Sequence, residues 1–365
     1  MIMKNIAEIR DCFGCGLCAK VCAHEVIDIR LNEKGFYQPY ITDPAKCVEC
    51  GLCIRVCSFM NHSGTPSPVK CYAAWSKDAG VRMTSTSGGV SYEIARHLMG
   101  VGYGFCGVRY NSDKHRAEHY IAETVEDLHW SKGSKYLPSY TLEAFTRIDP
   151  RKKYMVVGTP CQIASFRNYT ELFRCQDNFL LVDFFCHGVP SSLLWEKYLT
   201  RHGSGLGKIR SATWRNKDNG WRRSYCITLD GSKKVYRSSG RDEFYTMFLG
   251  DACLGKACYS NCRFKSDKSY ADIRIGDFWG ERYKDDQAGV NAVVAFTERG
   301  DRVLRDADLE LKEFSFAEVS EGQMVSNAEY QCFYPLVMKG LGSRFDLLPL
   351  LSGMVYLYRK LKSWR

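Results

Sequence analysis

The sequence lacks any long apolar run, and this absence sets the first limits on what the protein can be. No stretch of the 365 residues approaches the roughly 18 uninterrupted apolar side chains of a membrane-spanning helix, so no transmembrane segment is predicted. The segment before Cys12 contains no apolar run as long as that of a signal peptide. Low-complexity tracts are also missing, apart from one short stretch rich in Pro, Gly and Ser. These absences argue against a secreted, disulfide-bonded protein and predict a cytoplasmic location.

Cysteine, in contrast, is abundant, because the chain has 18 of them. In a reducing compartment such thiols indicate metal binding rather than disulfides. The formal net charge of +10 would by itself favour nucleic acid or an acidic partner. A [4Fe-4S] cluster with four thiolates carries roughly −2, however, so three clusters would remove about six charges. We therefore expect no nucleic-acid partner, although a plain cysteine-rich module for zinc or nucleic acid stays open as an alternative.

Two segments near the N-terminus, residues 12–22 and 47–57, repeat each other. Each carries four cysteines with the spacing C-x2-C-x2-C-x3-C, which is typical of bacterial [4Fe-4S] sites. In two-cluster ferredoxins the fourth cysteine of each run binds the other cluster. The first predicted centre therefore consists of Cys12, Cys15, Cys18 and Cys57, and the second consists of Cys47, Cys50, Cys53 and Cys22.

Zinc is the alternative metal for these cysteines, but structural zinc sites usually use two separated pairs of ligands. One departure from the ferredoxin pattern concerns the residue after the fourth cysteine. A proline is common there, and this chain has Ala23 and Ser58 instead. Because that proline is not a ligand, the prediction of two clusters is kept.

The predicted fold class is α+β, with a small duplicated domain followed by a larger one. Residues 1–60 are expected to form a bacterial-ferredoxin-like domain, residues 61–70 a linker, and residues 71–365 a mixed α/β domain that binds flavin and a cluster. Hydrophobic patterns predict a helix over Ser91–Met99 and buried strands over Tyr154–Val157, Phe179–Phe185, Ile273–Ile275 and Val290–Phe296.

Two of these strands each lead to a cysteine, Cys161 or Cys186, at the predicted start of a helix. The carboxyl ends of parallel strands meet at the edge of the sheet where ligands bind. Cys253, Cys258 and Cys262 follow later, and four of these five thiols could hold a third cluster. Our preferred set is Cys161, Cys186, Cys258 and Cys262, while a place for Cys253 in the set and purely structural roles stay open. Buried structural thiols are assumed for Cys71, Cys106, Cys175, Cys226 and Cys332.

Six segments of the chain also occur in the order found in a known family. They are Thr86–Gly89, Lys132–Tyr136, Gly158–Gln162, Cys186–Pro190, Cys258–Cys262 and Ile275–Gly280. Together they resemble the coenzyme F-420 hydrogenase/dehydrogenase beta-subunit family. The resemblance implies an iron–sulfur flavoprotein with bound FAD and a [4Fe-4S] cluster in the larger domain. Members of that family pass electrons between a deazaflavin coenzyme and clusters, or reduce another organic substrate such as a chlorophyll derivative.

A flavin suits such a chain because a cluster carries single electrons whereas a hydride carries two, and a flavin exchanges both. Hydroxyls, backbone N–H groups and lysines near the start of the predicted helix could bind its pyrophosphate. The candidate cofactor-binding residues are Ser85, Ser87, Gly88, Gly89, Lys132, Ser134, Lys135 and Tyr136. The alternative for these residues is a helix-capping serine run followed by a solvated basic loop.

Three further features have two interpretations each. His187 could donate a proton at a flavin, or it could be a satisfied structural group. The basic and aromatic segment 214–223 indicates contact with an anionic substrate or an acidic partner. Its candidate residues are Arg215, Lys217, Arg222 and Arg223. Residues 347–365 are predicted to be a terminal helix docked on the core, with contact to a membrane surface as the alternative, because Pro349 and Gly353 interrupt the amphipathic pattern.

The predicted function is an oxidoreductase that passes electrons between [4Fe-4S] clusters and an organic two-electron partner through FAD. The alternative is a non-catalytic electron-input subunit that passes electrons to a partner enzyme. In both cases a redox partner protein or a small organic substrate is expected, and a homo-oligomer is compatible with either. The sequence names no catalytic acid or base.

Overall fold

A computed structural model describes residues 5–61 and 64–363 of the chain. Residues 62 and 63 of the predicted linker, together with residues 1–4, 364 and 365 of the predicted domains, lie outside the described residues. The strands are β1 (Ile27–Leu31), β2 (Tyr37–Ile41), β3 (Lys70–Ser76), β4 (Gly104–Asn111), β5 (Arg116–Ala122), β6 (Ser139–Tyr140), β7 (Tyr154–Val157), β8 (Phe179–Phe184), β9 (Ser211–Arg215), β10 (Tyr225–Asp230), β11 (Lys234–Ser238), β12 (Ile273–Asp277), β13 (Asn291–Ala295) and β14 (Leu309–Glu313). The helices are α1 (Leu17–Lys20), α2 (Leu52–Arg55), α3 (Ala79–Thr84), α4 (Val90–Gly100), α5 (Leu142–Arg147), α6 (Pro160–Leu172), α7 (Ser192–His202), α8 (Glu243–Phe248), α9 (Lys256–Ser260), α10 (Glu298–Asp306), α11 (Phe316–Val319), α12 (Tyr334–Leu341) and α13 (Leu348–Ser363).

The N-terminal part folds into the duplicated unit that the cysteine repeat predicts. Gly16 and Gly51 both have a left-handed backbone, with φ of 76° and 74°, and each caps the short helix that follows it. Only glycine adopts this conformation without strain, and it turns each cysteine loop directly into a helix. Strands β1 and β2 pair antiparallel between the two cysteine loops. The prediction of a small ferredoxin-like domain ahead of a larger mixed one is thus confirmed.

The larger part is built on one mixed sheet of nine strands in the order β14-β3-β13-β12-β8-β7-β4-β5-β6. Its neighbouring strands β12, β8, β7 and β4 run parallel, so their carboxyl ends meet at one edge. The sheet is buried on both faces. Met155 and Leu180 pack toward α4 and α10, whereas Val156 and Leu181 pack toward α5 and α6. This two-sided burial explains why these strands are continuous hydrophobic runs in the sequence.

The two parts share a hydrophobic core instead of meeting only through a linker. Leu17 and Val56 of the N-terminal part pack in one cluster with Phe166 of α6. Nζ of Lys20 donates a 2.7 Å hydrogen bond to the carbonyl oxygen of Phe145. The cysteine repeats are therefore held in a defined position against the sheet.

The C-terminal half adds the three-stranded sheet β11-β10-β9 and several helices around an aromatic core that includes Trp195 and Trp214. Helix α13 packs on this core through Leu351 and Val355, as predicted for a docked terminal helix. Pro349 does not interrupt α13, contrary to the expectation, because it stands in the first turn, where a missing N–H costs no hydrogen bond. Within the described part of the chain, no helix has both the length and the apolar character needed to cross a membrane.

Candidate iron–sulfur centres and cofactor cavity

The first cysteine set lies where the two cysteine loops meet the larger domain. Burial, followed by repulsion from Cys15, Cys12 and Cys57, raises the pKa of the Cys18 thiol well above its usual value. The pKa of Cys57 is raised to about 12, mainly by burial and then by Cys15. Four thiolates at such short range need an offsetting positive charge, which the irons of a cluster would supply. The chemistry of this donor set therefore fits a [4Fe-4S] centre.

The second cysteine set lies at the protein surface. Its four members, Cys22, Cys47, Cys50 and Cys53, line one small cavity whose walls come from residues 5–53 alone. Cys53 is buried and Cys50 is exposed. Within residues 5–61 and 64–363, no three His, Cys, Asp or Glu residues are placed to hold a single metal ion. The four thiols of this set border a cavity instead, an arrangement that suits a cluster with one thiolate on each iron.

The third cysteine set converges from three separate parts of the chain. Burial and repulsion from Cys186, Cys258 and Cys262 raise the pKa of the Cys161 thiol. The pKa of Cys258 is raised to about 12 by burial and by Cys186 and Cys262. Nζ of Lys265 donates a 2.6 Å hydrogen bond to the carbonyl oxygen of Cys186 and brings positive charge to the set. These residues fit a further cluster by the same charge argument.

The local structure around these thiols differs from the prediction in two respects. Cys161 lies in the first turn of α6, as expected, but Cys186 lies in a loop, because β8 ends at Phe184 and α7 begins only at Ser192. Cys253 is fully buried in the aromatic core, and the influences on its pKa come from burial, a backbone group and Asp251 rather than from a cysteine. Cys332 is exposed, so its assignment as a buried structural thiol was wrong.

A cavity of about 490 Å³ opens at the carboxyl ends of the parallel strands. Its walls include Val157–Thr159 after β7, Phe184–Pro190 after β8 and Ile275–Asp277 at the end of β12. Open α/β sheets bind ligands at this edge. Because Cys186 is one of the lining residues, the cavity and the third cysteine set are in direct contact.

The cavity lining includes most of the predicted cofactor-binding residues. They are Ser85, Ser87, Gly89, Lys132, Ser134, Lys135 and Tyr136. Oγ of Ser85 is buried and has no hydrogen-bond partner among the described residues. The N-terminus of α4 begins at the same place, and burial lowers the pKa of Lys135 to about 7. An anion would satisfy the hydroxyl and stabilise the lysine cation, so these residues fit the pyrophosphate of a dinucleotide.

Two of the predicted residues have another role. Gly88 does not line the cavity, because it is pressed against β3, where a Cβ would collide with the carbonyl oxygen of Ala74. Oγ of Ser87 donates a 2.7 Å hydrogen bond to the carbonyl oxygen of Val290. Both residues therefore shape the loop, and the Ser87 hydroxyl proton already has its acceptor in Val290.

One wall of the cavity is aromatic. The ring of Tyr225 lies nearly parallel to that of Tyr136, at 6.2 Å and 15°, and to that of Trp279, at 6.2 Å and 19°. The guanidinium of Arg215 lies 4.3 Å from the centre of the Tyr225 ring and pairs with Asp277. This wall offers a flat surface against which a planar ring can pack.

The basic segment 214–223 lies outside the cavity lining. None of its four candidate residues lines the cavity. Nζ of Lys217 donates to the carbonyl oxygens of Arg82 and Ser87, at 2.6 Å each, and Arg222 donates to that of Gly280. Lys217 and Arg222 thus hold neighbouring loops through hydrogen bonds to backbone carbonyls.

His187 lines the cavity, and its Nε2 lies 2.8 Å from Oδ1 of Asp251. Asp251, Asp277, Trp279 and Tyr225 were not singled out from the sequence. Two of them, Asp277 and Trp279, lie within the segment Ile275–Gly280, which is one of the motifs of the family resemblance. For Tyr225, which lines the cavity, and Asp251, which lies beside His187, no local pattern marks these positions.

Comparison with known proteins supports the recognition made from the motifs. Residues 151–320 match the family model for the C terminus of the coenzyme F420 hydrogenase/dehydrogenase beta subunit, and residues 11–61 match the 4Fe-4S dicluster domain. No curated protein matches this chain. Among solved structures, a chain from the F420-reducing [NiFe] hydrogenase complex of Methanosarcina barkeri is similar, with a TM-score of 0.49 and 16% identity. That alignment covers 81% of this chain and 94% of the other.

Proposed function

We propose that this iron–sulfur electron-transfer protein, whose residues 151–320 match the C-terminal domain of the beta-subunit family, is a flavoprotein oxidoreductase. Electrons would pass between [4Fe-4S] centres and an organic two-electron partner, a deazaflavin coenzyme or another planar substrate, through FAD. The observation that carries the proposal is that Cys186 and the loop Ser85–Gly89 border the same cavity. A one-electron centre and a site for a two-electron cofactor would thus lie side by side.

The chain's own residues would bind and orient the cofactor. Ser85, the N-terminus of α4 and the lysines Lys132 and Lys135 would hold its phosphates. The aromatic wall around Tyr225 would pack against a ring. Bound FAD would supply the exchange of electron pairs for single electrons. His187, whose Nε2 contacts the carbonyl oxygen of Phe248 at 3.2 Å and lies 2.8 Å from Oδ1 of Asp251, is the histidine that lines the cavity.

The three cysteine sets suggest a linear order of centres. The cavity bordered by the second cysteine set is lined by residues 5–53 alone. The first cysteine set lies beside the third, because Phe13, next to Cys12, packs on Phe264 with ring centres 5.8 Å apart. Phe264 follows closely after Cys262 in the sequence. The proposed route therefore runs from the surface set through the first and third sets to the cavity. We keep residues 1–60 and 71–365 as the proposed domains, with residues 61–70 between them.

A non-catalytic electron-input subunit is the second candidate function. The family model is described as that of a beta subunit, and the exposed Cys50 places the second set within reach of another protein. Turnover of a small substrate by the pure reconstituted chain would contradict this alternative. A strict requirement for a second protein would favour it.

The proposal is tested by the iron, sulfide and flavin content of protein purified without oxygen. We expect about twelve irons and one FAD per chain, which corresponds to three clusters and one flavin. About eight irons without flavin would confine the metal chemistry to residues 12–57 and would remove the basis for an oxidoreductase with its own flavin.

A further inference from the structure

Two buried serines connect the first cysteine set to the third. Ser58 follows Cys57, and Ser165 lies one helical turn after Cys161 on α6. The N–H of Ser58 donates a 3.0 Å hydrogen bond to Oγ of Ser165, and Oγ of Ser58 donates one of 2.9 Å to the carbonyl oxygen of Cys161. Sγ of Cys15 lies 3.2 Å from the same Ser165 oxygen. One pair of hydroxyls thus contacts residues of both sets.

The serine at position 58 stands where ferredoxins commonly have proline. A proline has neither an N–H group nor a hydroxyl, so it would lose both of the bonds that Ser58 makes. Both partners, Ser165 and the carbonyl of Cys161, belong to the larger domain. The serine that replaces the usual proline at position 58 therefore makes hydrogen bonds to the larger domain that a proline could not make.

The direction of these hydrogen bonds depends on the state of Cys15. When Cys15 carries a proton, its Sγ–H donates to Ser165, and Ser165 donates to Oγ of Ser58 at 2.8 Å. A sulfur bound to iron carries no proton and can only accept, and a charged acceptor binds a hydroxyl more strongly than a neutral one. The Ser165 hydroxyl then turns toward Cys15.

A hydrogen bond donated to a cluster sulfur changes the redox properties of the cluster. Reduction adds one electron, and a donor at the sulfur stabilises the added negative charge. Such a bond therefore raises the reduction potential of the cluster. Ser165 is fully buried, so water cannot readily replace its hydroxyl in this role.

We propose that Ser165 is a positioning residue that raises the reduction potential of the first centre, and that Ser58 ties this centre to the third. The inference rests on the proposed function, which supplies the third centre. A raised potential at the first centre favours the movement of electrons inward from the surface set.

The test is a potentiometric titration of the full chain, purified without oxygen and followed by EPR spectroscopy of the reduced centres. Ser165→Ala is expected to move one N-terminal centre to a more negative potential without loss of iron. Ser58→Ala removes the competing acceptor for the Ser165 proton, so the same centre should keep its potential or become more positive. Thr170→Val is the matched control, because Thr170 is buried on the same helix and its hydroxyl donates to the carbonyl oxygen of Arg167.

An unchanged potential in Ser165→Ala, any negative shift in Ser58→Ala, or a negative shift in Thr170→Val as large as that in Ser165→Ala would overturn the inference. If Ser165→Ala does not assemble its clusters, the direction of the shift in Ser58→Ala still decides, because a negative shift contradicts the competition for the proton. A wild-type protein with about eight irons would remove the third centre and the proposed function. The shift at the first centre would remain measurable, since Cys15 and Ser165 need no third centre to be in contact.

Discussion

The guanidinium of Arg215 lies 3.1 Å from the carboxylate of Asp277, and 1% of the arginine side chain is exposed. Burial alone would lower the pKa of Arg215, but the charge of Asp277 raises it above its usual value. Nε1 of Trp221 donates a 2.7 Å hydrogen bond to the same carboxylate. The pair therefore holds β9, β12 and the aromatic wall of the cavity together.

Replacing Arg215 by Leu would leave Asp277 without its positive partner. We expect the free energy of unfolding to fall by about 3–5 kcal/mol, because removing one member of a buried ion pair leaves an uncompensated charge. Urea unfolding of the cluster-loaded protein measures the loss. Arg151→Ala, which breaks an exposed pair with Asp149, is the control and should leave the unfolding curve unchanged. Equal losses in both variants would show that the burial of the pair is irrelevant.

The proposed third cluster predicts which cysteine substitutions reduce the iron content of the protein. If the chain holds the three proposed clusters, Cys258→Ser should lose about four of their roughly twelve irons, because the third cluster loses a ligand. Cys332→Ser, at an exposed thiol, should retain them all. Iron analysis and EPR spectroscopy give the result. Full iron content in Cys258→Ser combined with a loss in Cys253→Ser would mean that Cys253 is the ligand.

The lowered pKa of Lys135 predicts a pH dependence of flavin binding. With its pKa lowered to about 7 by burial, this lysine would be mostly charged below pH 7 and mostly neutral above it in the flavin-free protein. The affinity for FAD should therefore fall as the pH rises from about 6 to 8, and binding near pH 7 should take up protons. Calorimetry in buffers of different ionisation enthalpy measures both effects.

The variant Lys135→Met should bind FAD more weakly, and its affinity should no longer change with pH. Lys152→Met, at an exposed lysine outside the cavity, should behave like the wild type. If the affinity of the wild type is independent of pH, Lys135 does not contact the anion.

Buried His119 predicts a loss of stability in mild acid. Burial lowers the pKa of its imidazole from 6.5 to about 4, against a weaker opposing effect of the hydrogen bond to the carbonyl of Val157. The unfolded chain then binds more protons than the native protein between these values, so stability is lost as the pH falls from 6.5 toward 4. The full loss is roughly 3 kcal/mol, at 1.36 kcal/mol per pH unit.

Urea unfolding between about pH 5 and 8 tests this prediction. His119→Gln should have a flatter dependence on pH than the wild type, whatever its absolute stability. His129→Gln, at an exposed histidine, should keep the wild-type slope. Parallel pH profiles for all three proteins would rule out His119 as the cause.

The sequence was most informative where ligands lie close together in the chain. The repeated cysteine spacing predicted two centres and a duplicated small domain, since four thiols within eleven residues constrain their own geometry. The hydrophobic runs predicted β7 and β8 because strands covered on both faces need apolar side chains throughout. The helix start at Cys186 was predicted wrongly, because a strand pattern does not show how long the following loop is.

By itself, the sequence determined the chemistry available to this protein: the cysteine repeats, the later thiols, the Ser and Lys segments and the order of motifs. Only the tertiary structure decided which of these residues meet. Cys161 and Cys186 come together because β7 and β8 end at the same edge of a parallel sheet, whereas Cys253 is buried in the aromatic core. The contact between Ser58 and Ser165 likewise joins two domains. Distances between residues far apart in the chain are set by strand order and packing, which no local pattern contains.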